Sequence, residues 1–143
     1  MYQGDSLKYE KEVKEFLQKQ DQIELAYLFG SVAYGEQGKL SDIDLALFLD
    51  ESLDKEERFK LNLTLISDLQ DILKTDQLDL VIMNDAPVSL NFEIIKANYP
   101  LLIRDENFKV DMEVHIMSRY LDRQYYDQRW AEELIKKTAE GNK

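Results

Sequence analysis

A chain of 143 residues has the size of one domain and is long enough to bury about two thirds of its unfolded surface. It has no cysteine and one histidine, which excludes disulfides, thiolate metal sites and a multi-histidine zinc site. Lys and Arg number 18 against 29 Asp and Glu, and the net charge of −11 repels nucleic acid and anionic membrane while suiting metal cations or a basic partner.

No apolar run approaches the roughly 20 residues that span a bilayer. The opening stretch MYQGDSLKYEKEVKEF is too charged for a signal peptide. A cytoplasmic protein of one domain over residues 1–143 is expected, with no direct nucleic-acid binding and no membrane.

Residues 6–20 predict a helix with Leu7, Val13, Phe16 and Leu17 on one side. IELAYLFG reads as a buried strand stopping at Gly30, SVAYG as one helical turn, and EQGKLS as a loop. DIDLALFL predicts a second strand over 42–49. DKEERFKLNLTLISDLQDILK predicts an amphipathic helix with Phe59, Leu63, Ile66 and Leu69 or Leu73 inward. QLDLVIM reads as a third strand. NDAPVSLNFEIIKA restarts as a helix with Pro87 in its first turn. Tyr99-Pro100 stops it, LLIR is a short fourth strand, and a last helix runs from about Asn107 to Lys137 before a polar tail. The order αβ(α)βαβαβα predicts an α/β (α+β) fold, a small mixed sheet covered by helices.

Two strands begin with acids. Alternate strand residues share a face, so Asp42 and Asp44 align with Ala46 and Phe48, while Ile43, Leu45, Leu47 and Leu49 fill the other face. Like charges on one face repel, and burial raises the cost. Either the pair sits at an exposed strand end, or one acid is protonated, or a cation binds. Asp79, at the head of the third strand, shares a face with Val81 and Met83. If the two strands are neighbours, three carboxylates converge at one end of the sheet. An oxygen-only cluster of that kind suits Mg²⁺ or Mn²⁺. Taken singly, Asp79 is equally a solvated acid beside a turn.

Before the acids, Gly30 ends a strand and Ser31 opens a helical turn. Backbone N–H groups at such a junction can receive phosphate, and the Ser31 hydroxyl can add a hydrogen bond. The plainer alternative is a strand-end turn with a serine cap. A Walker loop is rejected, because Glu36 follows Gly35 where lysine is required, and Gly35 and Gly38 do not complete a dinucleotide fingerprint.

Gly30-Ser31, ten intervening residues, then Asp42-Ile43-Asp44, with Asp79 on a later strand, resembles the signature of the polymerase-β-like nucleotidyltransferases. More narrowly, the chain looks like the minimal nucleotidyltransferases, or MNT proteins, and the likeness covers most of its length. The resemblance implies transfer of a nucleoside monophosphate from a triphosphate such as ATP to a hydroxyl, with release of pyrophosphate. Asp42 and Asp44 would hold two Mg²⁺ ions, with Mn²⁺ as the alternative. Asp79 would share one ion and help deprotonate the acceptor, and Gly30 and Ser31 would grip the β and γ phosphates.

Many MNT proteins are paired with a small helical HEPN ribonuclease as antitoxin and toxin. The resemblance therefore implies a type VII-like antitoxin that moves AMP from ATP onto a tyrosine of a HEPN toxin, in a hetero-oligomer or as a homodimer. Two alternatives stay open: transfer to a small molecule such as an aminoglycoside, and a non-catalytic antitoxin that acts by direct binding. MSRYLDRQYYDQRW, residues 117–130, is rich in Tyr and Arg, types favoured at interfaces, or else is a packed helix whose tyrosines edge the core. Lys39 and Arg104 could meet phosphate or a partner, or be plain surface charges. His115 sits in a helical run and is given no catalytic role.

Overall fold

The computed structural model describes residues 8–33 and 42–141, apart from the side chains of Ser31 and Glu140. Its elements are α1 (Glu10–Gln18), β1 (Ile23–Phe29), α2 (Gly30–Ala33), β2 (Ile43–Leu49), α3 (Lys55–Leu73), β3 (Leu78–Ile82), a 3₁₀ turn (Met83–Asp85), α4 (Val88–Ala97), β4 (Pro100–Ile103) and α5 (Glu106–Gly141). The order is the expected one, and the expected loop at 36–41, Lys39 included, lies outside the described residues.

The sheet is mixed, in the order β3-β2-β1-β4. β1 pairs antiparallel with β2 and with β4, while β2 and β3 run parallel across the α3 connection. β1 is covered on both faces, which explains the apolar run Leu25–Phe29. One face carries Ala26, Leu28, Leu45, Leu47 and Leu49 against Val13 and Leu17 of α1 and Leu65, Leu69 and Leu73 of α3. The other carries Leu25, Tyr27, Phe29, Ala46 and Met83 against Ile94 and Ile95 of α4 and Ile116 of α5.

α3 starts at a capping box. Glu57 N–H donates to Asp54 Oδ1 at 2.8 Å, and Asp54 N–H donates to Glu57 Oε1 at 3.0 Å. Its buried side includes the expected Leu69 and Leu73, with Ile66 packed beside them, but not Phe59 and Leu63. Phe59 is 62% and Leu63 54% exposed, while Leu65, Leu69 and Leu73 are buried. The helix carries apolar residues on more than one side, so periodicity alone allows two stripes. The leucine row at four-residue spacing, continued by half-buried Leu61, is the one laid on the sheet.

Three boundaries also move. Pro87 caps α4 from outside instead of sitting in its first turn, because its own ψ of 155° is extended. β4 begins at Pro100, which an edge strand tolerates. α5 continues to Gly141, through most of the expected polar tail. Among the described residues no helix is long and apolar enough to cross a membrane.

Candidate active site

The parallel register of β2 and β3 pairs Ile43 with Leu78, Asp44 with Asp79 and Leu45 with Leu80. Paired residues on adjacent strands lie about 5 Å apart and face the same way, so the carboxylates of Asp44 and Asp79 are direct neighbours. Asp42 stands one residue ahead of β2 instead of within it. Asp42 and Asp79 are exposed, and Asp44 is half-buried. Burial first, and then the charges of Asp79 and Asp42, push the Asp44 carboxyl above the usual carboxylate range. Asp79 and Asp42 thus both act on Asp44 at one end of the sheet.

On the other side of β2, Phe29 of β1 is paired with Asp44. The chain turns there into α2 through Gly30, whose φ is 73°. A Cβ built on Gly30 would stand 2.1 Å from Asp44 Oδ2 and 3.1 Å from its Cγ. Glycine is thus required twice, for a left-handed backbone and for the close pass against the carboxylate. The backbone of Ser31 follows in α2, and its side chain lies outside the described residues.

The donor set fits a hard divalent cation. It is all carboxylate oxygen, and the neighbouring negative charges that raise Asp44 are the ones a cation would neutralise. Among the described residues no three His, Asp or Glu side chains stand gathered tightly enough to cage an ion. Asp44 and Asp79 form the neighbouring pair, and the exposed Asp42 stands beside them. Those three residues are the ones that could hold magnesium or manganese.

A cavity among the described residues lies elsewhere. About 560 Å³ in volume, it is lined by Phe48, Met83, Asn91, Phe108, Met112 and Ile116, among others. Phe48 is four residues beyond Asp44 on the same face, so the cavity opens toward the opposite end of β2. The buried Oδ1 of Asn91 has no hydrogen-bond partner among the described residues. No sequence signal marks this cavity, because its walls are ordinary alternating core residues of β2, α4 and α5. His115 is exposed at its rim.

Arg104 is not an idle surface charge. Its guanidinium donates to the backbone oxygens of Ile23 at 2.6 Å, Gln18 at 3.0 Å and Gln20 at 2.7 Å. It satisfies carbonyls at the end of α1 and start of β1 that the helix cannot. Tyr27, in the middle of β1, donates its hydroxyl to Glu113 of α5 at 2.8 Å. Burial, then that hydrogen bond and the charges of Glu113 and Glu106, push the Tyr27 hydroxyl far above its ordinary range. These two residues hold the sheet to α1 and α5, and sequence patterning did not single out either role.

The fold and the paired strand acids define a nucleotidyl-transferring domain. The family described as "Polymerase beta, Nucleotidyltransferase" matches residues 11–107, and the chain belongs to that family. Within it, the chain is similar to MntA antitoxins. A chain of an MntA toxin–antitoxin complex in which two aspartates two positions apart are changed to glutamate is 26% identical, over 90% of this chain and 99% of that one, with a TM-score of 0.66. A chain of a toxin–antitoxin complex with AMP-PNP is also 26% identical, over 90% and 99%, with a TM-score of 0.64. A complex of tri-AMPylated HEPN toxin with MNT antitoxin from Shewanella oneidensis shares the fold at 23% identity, over 89% and 96%, with a TM-score of 0.60. No curated protein matches the sequence.

Proposed function

We propose that this nucleotidyltransferase moves AMP from ATP onto a tyrosine hydroxyl of a HEPN-type toxin and acts as its antitoxin in the cytoplasm. The observation that carries the reading is the Asp44–Asp79 register pair with Gly30 packed against Asp44. Support for the donor comes from the related complex with AMP-PNP, and support for the acceptor from the tri-AMPylated HEPN toxin bound to an MNT antitoxin.

In this reading Asp42, Asp44 and Asp79 hold magnesium, with manganese able to replace it. Held there, the ion would supply charge neutralisation for the triphosphate and a lowered pKa for an attacking hydroxyl. Asp79, the exposed member of the register pair, takes the acceptor proton. The glycine at 30 and the backbone at 31 admit the β and γ phosphates to the main chain. The rest of the rate enhancement is positioning: acceptor oxygen, α phosphorus and departing pyrophosphate are held in line.

The test is direct. Incubate the chain with magnesium, α-labelled ATP and a HEPN protein encoded beside it, with an aminoglycoside as the competing acceptor. Label should move to a tyrosine of the HEPN protein, and Asp44→Asn should abolish it. Label on the drug alone would replace the acceptor, and neutralisation of the toxin by the Asp44→Asn variant would replace catalysis with contact.

A further inference from the structure

α5 is 36 residues long, roughly 54 Å at helical rise. Only its first half is packed. Phe108, Met112 and Ile116 join the core, and Tyr120 stacks on Phe92 with ring centroids 3.9 Å apart. From Leu121 to Ala139 every residue is exposed. Most helical stability in proteins comes from packing, and this half has none within the described residues.

The outward side of the packed half is apolar where an anchored helix normally turns charge to water. Val110, Val114, Met117 and Leu121 are 52%, 52%, 42% and 59% exposed. Val114 lies two residues, or about 200°, around the helix from buried Ile116. Their four-three-four spacing is that of a heptad seam. The same spacing continues along the unsupported half through Gln124, Gln128 and Ala131 to Ile135, which is 70% exposed. The seam is apolar along the anchored half and continues on the projecting half with Gln124 and Gln128 set into it before Ala131 and Ile135.

The positions bordering the seam carry Asp111, Glu113, Asp127 and Glu132, and no lysine or arginine. Glu113 is engaged by Tyr27 and by Lys109 at 3.3 Å, while the other three are exposed. A second copy laid parallel would set Asp127 against Glu132. Laid antiparallel with full overlap, it would set Asp111 against Glu132. Either arrangement places like charges across the seam.

We propose that this seam docks an α-helix of another protein whose apolar row is bordered by lysine or arginine. The two glutamines in the seam fix its register, since each must meet a polar group or water. The surface is independent of the acids at the head of β2 and of the transfer reaction.

The full chain is titrated by calorimetry with two synthetic helical peptides about four heptads long, with identical leucine rows that carry asparagine at the two positions facing Gln124 and Gln128. One row is bordered by lysine and arginine, the other by glutamate. The basic-bordered peptide should bind one to one, weaken at least tenfold between low and physiological salt, and slow amide hydrogen exchange over 121–139. The glutamate-bordered peptide should not bind. The double variant Val114→Glu, Leu121→Glu should lose binding while melting as the parent does, because both side chains are exposed. That loss separates the seam from general attraction to an acidic protein, which two added acids would strengthen. Equal binding of both peptides, binding of neither, or a dimer of the chain alone that Leu121→Glu dissociates would overturn the proposal.

Discussion

Gly30 and Asp44 are in such close contact that the glycine hydrogen occupies the only space between the β1–α2 turn and the carboxylate. Any Cβ at position 30 would stand 2.1 Å from Asp44 Oδ2. The contact exists because β1 returns antiparallel to β2 with Phe29 opposite Asp44. One position therefore controls both the phosphate-side turn and the central acid.

Gly30→Ala follows from that contact. The left-handed φ of 73° costs an alanine about 1–2 kcal/mol, and the Asp44 side chain must also move. Displacing a reacting group by about 1 Å costs on the order of a hundredfold in rate. The variant should melt a few degrees lower yet lose transfer by about two orders of magnitude or more. Single-turnover AMP transfer and a thermal scan on the same preparation check this. A loss of stability with full transfer would separate Gly30 from the site.

Asp44→Asn tests the acids from the other side. The Asp44 carboxylate is half-buried beside two like charges, which disfavours its ionised form. An isosteric neutral amide removes that repulsion. Without divalent metal the variant should be at least as stable as the parent. Adding magnesium should raise the melting temperature of the parent and leave the variant nearly unchanged. Differential scanning fluorimetry with and without magnesium reads both arms. Collapse of the metal-free variant would show a structural acid, as would an equal magnesium shift in both proteins.

Tyr27 and Glu113 give a pH dependence of known sign. The ordinary tyrosine value is 10.0, and burial and Glu113 raise it in the folded state. The neutral hydroxyl is the form the fold favours. Its contribution is therefore fully present below about pH 10 and is lost as pH rises above that toward the higher folded value. Tyr27→Phe should cost about 1 kcal/mol at neutral pH, the worth of one hydrogen bond. Its stability should also fall less steeply than the parent's in alkali. Urea unfolding at pH 8 and at pH 10.5 measures the difference, and parallel pH slopes would deny Tyr27 the role.

Much of this was legible in the sequence. The runs IELAYLF and IDLALFL give β1 and β2 directly, and alternation puts Asp42 and Asp44 on the side of Ala46. Alternation also puts Asp79 with Val81. What alternation cannot give is the register between strands, and the pairing of Asp44 with Asp79 depends on it. The Gly30 contact was hidden for the same reason, since it arises from the return of β1 beside β2. In α3 the expected Leu69 and Leu73 face the sheet, while Phe59 and Leu63 do not, because the leucine row from Leu61 competes with them for it. The role of Arg104 was invisible because its partners are backbone carbonyls, which every residue carries.

Arg104 supplies the last test, because phosphate binding and chain clamping make opposite forecasts. Its guanidinium reaches three carbonyls between Gln18 and Ile23 from the end of β4. Arg104→Ala removes these hydrogen bonds, leaving the Gln20 oxygen with the Ile23 N–H at 3.1 Å, and should destabilise the fold by about 1–2 kcal/mol. Arg104→Lys should recover only part of that, since one ammonium on a flexible stem cannot span the three acceptors that a planar fork spans. Transfer of AMP per folded molecule should be unchanged in both variants, and KM for ATP should be unchanged as well. A raised KM with unaltered stability would return Arg104 to the phosphate.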